Sequence, residues 1–244
     1  SILYQTSKNN RKTRKTERLL RYFNVMVRVY YHIYAVEGVE EIIDEQLSLI
    51  EKNFKFPFIL NVGISIGNEN YSTSNIIDKF YTFNKPNYRI RDIRVKGHEF
   101  TTLELIEKDK ELFADTDFIL YLHTKGASKR NSEEYSNIES WRHLMNYFNI
   151  EKFEDVFRIL NKSDYNTYGV LFGKAGPWMI YSGNFWWMKA SYAKTINLDG
   201  VRRSSRFSSE HSFLQMGEGW QPYSPYNREG ENHYLINFNE VDYR

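Results

Sequence analysis

ILYLHTKGAS, residues 119–128, decides how the rest of the chain is read. Ile119 to Leu122 form a short apolar and aromatic run, the pattern of a strand buried on both faces. His123, Thr124, Lys125 and Gly126 follow at once and begin a polar loop. A strand that delivers a histidine and a lysine to its end suits an open α/β sheet. Ligands of such sheets sit beyond the carboxyl ends of the strands.

The flanking sequence fits that class. VMVRVYYHIYAV (25–36) is rich in β-branched and aromatic residues and predicts a strand. GVEEIIDEQLSLIEKNF (38–54) spaces Val39, Ile42, Ile43, Leu47 and Ile50 as an amphipathic helix does. FPFILNVGISIG (56–67) predicts a second strand, STSNIIDKFYTF (72–83) a short helix behind a Ser/Thr cap, YRIRDIRV (88–95) a third strand, and EFTTLELIEKDKELF (99–113) a helix. Strand and helix alternating in this way predict βαβ units, hence an α/β fold with a mainly parallel central sheet flanked by helices. Downstream, NIESWRHLMNYFNIEKFEDVFRIL (137–160) predicts one long helical stretch. YGVLFG (168–173) and WMIYSGNFWWMKA (178–190) read as strands, RFSSEHSFLQM (206–216) as a helix, and the tail as loop with one late strand. No repeat and no Gly/Ser or Pro linker interrupts the chain, so one domain is expected over 25–244.

Composition bounds the function. The 41% hydrophobic and 26% charged residues are the balance of a globular protein with its own core. There is no cysteine, which excludes disulfides and thiolate metal sites. No apolar run is long enough to span a bilayer, and the first residues lack the apolar stretch of a secretory signal, so a cytoplasmic location is expected. Charge is uneven. Residues 1–24 carry seven Lys or Arg against Glu17 alone, so that a chain of net charge +2 divides into an arm of +6 and a body of −4. Such an arm suits nucleic acid or an anionic surface, or is a solvated tail.

Each candidate site residue has an ordinary reading beside a functional one. Lys125 can meet a phosphate as a point charge, and Gly126 permits close backbone approach or positive φ; both also fit a plain surface turn. His123 can donate to an oxygen or bind a metal, or be satisfied by the backbone. Asp115 and Asp117 form an Asp-x-Asp, but they precede the strand and belong at the sheet's amino edge, away from ligands. In YSGNFWWMKASY (181–192), Gly183 and Asn184 interrupt an aromatic strand. Asn184 then offers an amide to a hydroxyl, and Trp186 or Trp187 a flat face, unless the tryptophans are core. Arg142 binds an anion or pairs with Glu139. Glu210, expected near a helix start, serves as a general base or as a favourable first-turn charge. No Walker loop, dinucleotide glycine fingerprint or His-x3-His pair is present.

Taken together, YYHIYAV (30–36), EQLSLI (45–50), LYLHTKG (120–126), WRHLMNYFNIEKFEDV (141–156), YSGNFWWMKASY (181–192) and RFSSEHSFL (206–214) resemble a group of GT-A nucleotide-sugar glycosyltransferases from bacteria, phages and large viruses. The resemblance implies a single Rossmann-like GT-A domain and a sugar-nucleotide donor, with a UDP-sugar expected. It places His32, Tyr34 and Ala35 toward the base. Gly97, Thr101 and Thr102 fall toward the ribose or diphosphate, and Thr124 and Gly126 toward the phosphates or sugar. Gly183, Asn184, Trp186, Trp141 and Arg142 are placed around the acceptor and transferred sugar. Glu210 matches the catalytic carboxylate of inverting members. One departure is plain: where such enzymes usually end this strand in Asp-x-Asp, which holds Mn²⁺ or Mg²⁺ on the donor, this chain has His123-Thr124-Lys125. No metal ligand is therefore assigned, Lys125 is expected to neutralise the leaving diphosphate, and a divalent ion remains an optional cofactor. The expected acceptor is a saccharide hydroxyl of a surface glycan. The alternatives are a hydroxylated base in phage DNA, approached through the basic arm, and a non-catalytic nucleic-acid-binding protein.

Overall fold

A computed structural model describes residues 25–68, 70–83, 85–201 and 206–244. The basic arm, residues 1–24, lies outside these, as do Arg202, Arg203, Ser204 and Ser205.

Four parallel strands, β1 (Val27–Ala35), β2 (Phe58–Ile66), β3 (Tyr88–Val95) and β4 (Phe118–His123), lie in the order β3-β2-β1-β4. The crossovers carry α1 (Val39–Asn53), α2 (Ser74–Phe83) and α3 (Phe100–Asp109). After β4 come α4 (Tyr135–Asn146), α5 (Phe153–Lys162) and β5 (Thr167–Gly169). The hairpin β6 (Phe172–Ala175) and β7 (Trp178–Tyr181), which forms its own small sheet, is next. Then follow β8 (Trp186–Lys189), α6 (Ala190–Ala193), α7 (Arg206–His211) and β9 (Pro222–Tyr223). The main sheet continues past β4 as β8-β5-β9, and β8 alone runs against its neighbours. The fold is thus mixed α/β with a mainly parallel seven-stranded sheet, and the strand order turns about between β1 and β4.

Alternation in β1 and β4 builds a core on each face of the sheet. Val27, Val29, Tyr31, Ile33, Leu120 and Leu122 pack with α1, α4 and α5 on one face. Tyr30, Ile119, Tyr121, Trp186 and Met188 pack with Leu103 and Ile106 of α3 and with Phe213 on the other. Each fully buried side chain of this size contributes about 1.5–3 kcal/mol, which is why the central strands need no polar face. Among the described residues no helix is long and apolar enough to cross a membrane.

Four expectations need correction. The helical stretch 137–160 is two helices separated by a π turn, Tyr147–Glu151. Asn149 sits in that turn: its side-chain amide donates to the Met145 carbonyl (2.9 Å) and its own carbonyl accepts from the Trp187 indole (2.8 Å), so the ladder is diverted there. YGVLFG is not one strand. Leu171, at φ 56, turns the chain from the main sheet into the hairpin. WMIYSGNFWWMKA is likewise two strands, parted by a turn in which Asn184 N–H donates to the Tyr181 carbonyl (2.9 Å) around Gly183 at φ 91. RFSSEHSFLQM is α7 followed by a 3-10 turn, Phe213–Met216.

Candidate functional site

A cavity of about 170 Å³ opens at the carboxyl ends of β1 and β4, where the strand order turns about. Its walls include His32, Tyr34, His98, Glu99, His123, Thr124, Lys125, Gly126, Glu210 and Tyr234. This is the position at which open α/β sheets hold their ligands.

Lys125 is the unusual residue. It is only 7% exposed, yet among the described residues no acid pairs with it and no acceptor takes its protons. Its Nζ instead lies 4.1 Å from the Trp141 ring centre and 5.4 Å from that of Tyr234. Two cation–π contacts return about 2 kcal/mol each at best, against several for taking an ammonium out of water. The balance favours an anion in the cavity beside it.

A buried polar scaffold aims this lysine. Arg142 grips Glu45 on α1 through Nε (3.1 Å) and Nη2 (2.8 Å), and its Nη1 donates to the Lys125 carbonyl (3.0 Å). Gln46 donates to the His123 carbonyl (3.2 Å) and accepts from Tyr31 Oη (2.8 Å). Burial pushes the Glu45 carboxyl up, but hydrogen bonds from His143 and Arg142, with their charges, hold it at about 2. Thr124 Oγ1 accepts from the Tyr34 amide (2.9 Å), clamping the loop after β4 to the end of β1. Gly126 follows at φ 92 with Ile138 3.0 Å from where a Cβ would stand, so the turn needs glycine.

The cavity holds two carboxylates. Glu99, which the sequence reading passed over, accepts from Tyr121 Oη (2.7 Å) and Asn184 Nδ2 (2.5 Å), two donors that fix its place on the wall. Glu210 faces the same space from α7. His98 and Lys96 flank Gly97 at φ 48 and 58, left-handed conformations that cost non-glycine residues roughly 1–3 kcal/mol each. The β3–α3 loop is therefore held in strain where it reaches the cavity. His32 is neutral: burial drives its pKa well below the ordinary value, and the imidazoles of His123 and His98 add to this.

The structure separates the expected site residues. His32, Tyr34, His123, Thr124, Lys125, Gly126 and Glu210 meet on the cavity wall. His123 is engaged, its Nε2 donating to the Gly183 carbonyl at 2.9 Å. Ala35 is buried in the core at the end of β1 and offers nothing to a base. Thr101 and Thr102 are buried beneath the cavity on α3. Thr101 bonds Ser65 Oγ (2.8 Å), and Thr102 holds His32 Nδ1 (3.0 Å), so the latter orients a wall residue. Gly97 shapes the strained loop, where a Cβ would strike Thr101. Arg142 is not open to an anion, since Glu45 consumes it and its weaker contact with Glu139 is 3.4 Å. Trp141 is a wall for Lys125, not a free face. Gly183 lies against Met145 and Trp141, where a Cβ would overlap sulfur at 2.5 Å. Asn184 spends its amide on Glu99 and accepts from Trp186 Nε1 (2.8 Å). Trp186 is core, between Tyr121 (5.0 Å) and Phe213 (5.5 Å). Glu210 stands at the end of a six-residue helix, not at its start, so no helix dipole acts on it as expected.

The residues do not fit a divalent ion. Among the described residues no three His, Asp or Glu side chains converge as ligands, and an ammonium stands where a carboxylate pair would be needed. Asp117 of the Asp-x-Asp is at the amino end of β4, where it caps Ala114 N–H (3.1 Å) and pairs with Arg28 (3.2 Å).

Tyr234 and the tail could not be placed from sequence, because their contribution depends on a long-range fold-back. Asn137 donates to the Tyr234 carbonyl (3.2 Å) and Phe238 N–H to Ser140 Oγ (3.0 Å), which straps the tail over α4 and against Lys125. No curated protein matches the chain. Residues 22–202 match the model of a family described as Domain of unknown function (DUF8361). That span runs from ahead of β1 through α6 and takes in every cavity residue named above except Glu210 and Tyr234, so the chain belongs to this family.

Proposed function

We propose that the protein is a GT-A-type glycosyltransferase that moves a sugar from a nucleotide-sugar donor, a UDP-sugar first of all, to a hydroxyl acceptor. The observation that carries this reading is Lys125, a buried ammonium with an aromatic box, no acid paired with it among the described residues and an open cavity in front of it. A leaving diphosphate is the anion such a group serves, because it gains negative charge as the glycosidic bond breaks. The strand order supports the same reading, since β3-β2-β1 is the arrangement of a mononucleotide-binding half-sheet and β4 beside β1 makes the switch point at which such sheets hold nucleotides.

In this mechanism Lys125 neutralises the departing diphosphate, and Glu210 takes the proton from the acceptor hydroxyl as its oxygen attacks the anomeric carbon. Glu99, locked by Tyr121 and Asn184, accepts from hydroxyls of the transferred sugar. The acceptor is a saccharide hydroxyl, and a hydroxylated base in DNA is the second choice, favoured by the +6 arm and by a chain rich in Asn, Lys, Tyr and Ile, which suits an AT-rich genome such as many phages have. The test is a panel of UDP-, GDP- and dTDP-sugars, scored for nucleotide release and for thermal stabilisation. Release from one donor that drops in Lys125→Ala supports the reading. No release and no stabilisation by any donor removes it.

A further inference from the structure

The residues expected to stack on the acceptor sugar, Trp141 and Trp186, are buried. Three other rings group around the helix that carries Glu210 of the cavity wall, two of them exposed and His211 between them half-buried. On α7, Phe207 and His211 are one turn apart, with centroids at 5.9 Å and planes 21° apart. Trp178, at the start of β7, lies 6.4 Å from His211 at 17°. The planes are thus near parallel, and the outer two rings are open: Trp178 is 40% exposed and Phe207 64%. Large aromatic side chains seldom stay this exposed in one group unless they meet a partner.

Position identifies the partner. Glu210 lies between Phe207 and His211 in sequence and turns into the cavity. Successive helical residues differ by about 100°, so the helix that offers the carboxylate inward carries the rings around its side. The hairpin is tied to α7 through Gln215 of the following 3-10 turn, whose Nε2 donates to the Met179 carbonyl (2.9 Å) and to the His211 carbonyl (2.5 Å). We propose that Trp178, His211 and Phe207 form the acceptor subsite, a platform for the apolar C–H face of a pyranose ring whose hydroxyl is directed to Glu210.

An uncharged saccharide fits better than a polyanion. The body beyond the arm carries −4, and aromatic faces satisfy a sugar's C–H groups without any counter-charge. The subsite rests on the transferase reading for its reaction, but not for its ligand class, and the two are separable by experiment.

Methyl and nitrophenyl glycosides of glucose, galactose and N-acetylglucosamine serve as acceptors with the donor found active in the panel. Trp178→Ala and Phe207→Ala should each raise the acceptor KM about 5- to 10-fold, the size of one lost stacking face, and leave donor hydrolysis unchanged. Trp178→Tyr, which keeps a ring, should recover most of the loss and shows that the hairpin still folds. An unchanged KM in both alanine variants overturns the platform and leaves the donor reading standing. If no donor is turned over, the same glycosides are titrated against tryptophan fluorescence. Saturable quenching lost in Trp178→Ala then upholds the platform without the transferase. No saccharide binding, or salt-dependent binding of a DNA oligonucleotide that Trp178→Ala abolishes, overturns it; Arg202, Arg203 and Arg206, adjacent in sequence, make DNA the competitor to include.

Discussion

Lys125 and Arg142 carry the same charge and opposite prospects. Lys125 lacks an acid partner among the described residues, whereas Arg142 is consumed by Glu45. Lys125→Ala should keep the fold and lower turnover by about 10²- to 10³-fold, the usual result of losing one preorganised electrostatic contact, with KM for the acceptor little changed. Steady-state kinetics on the active donor check this, and wild-type turnover in the variant would remove the role. Arg142→Ala should instead cost about 1.5–3 kcal/mol in denaturant unfolding, since it takes the two-pronged partner away from half-buried Glu45 and leaves that carboxylate to His143 and Asn146. Glu210→Gln should depress turnover by about 10²-fold or more while donor binding, read by thermal shift, stays as it was. Lys125 and His123 were legible in sequence because polar residues directly after a buried strand leave a local trace, whereas Glu210 was singled out by an expected helix start, which the structure corrects, and by the family resemblance. Glu99 was not. Its role comes from Tyr121 and Asn184, one strand and one turn away, and no spacing in the chain shows that the three meet.

The elements behind the site make a different prediction. Helices α1 and α4 are joined by Glu45, whose folded pKa of about 2 lies below the 4.5 of a free carboxyl. A carboxyl depressed on folding contributes stability that is complete above about 4.5 and is lost as the pH falls toward 2. His32 acts in the same direction at higher pH: its folded pKa is lowered, so below 6.5 the unfolded chain gains a proton that the folded one refuses. Melting temperature should therefore begin to fall just below pH 6.5 and drop further between 4.5 and 2, and Glu45→Gln should flatten the second limb alone. A second limb of unchanged depth in that variant would mean that another carboxyl controls it. The βα order of the first half was readable because each strand and helix there declares its own period, 2 or 3.6. The second half was harder. YGVLFG has the composition of one strand, but Leu171 at φ 56 divides it, and the π turn at Asn149 answers to the Trp187 indole rather than to its own neighbours.

For the molecule as a whole, the arm and the body are separable. Residues 1–18 include most of the basic charge of the arm, and the cavity residues all belong to the body. Deleting residues 1–18 should leave donor hydrolysis unchanged. If DNA is the acceptor, the deletion should also flatten the dependence of log affinity on log salt by about 0.9 for every phosphate the arm had neutralised. A full-length protein whose affinity for duplex DNA does not respond to salt at physiological ionic strength leaves the saccharide as acceptor. The fold class was visible in the alternation of elements, but the cavity's last wall was not, because Tyr234 reaches Lys125 only when the tail folds back over α4. That strap has a consequence for synthesis. The parallel half of the sheet, β1 to β4, can pair while the rest of the chain is still in the ribosome, but Tyr234 emerges long after Lys125. Until it does, the ammonium has one aromatic wall and faces water on the other side. On the proposed reading, the nascent protein therefore passes through a stage in which the parallel half of its sheet is formed and the space beside Lys125 still lacks its last wall, so competence to hold an anion arrives late.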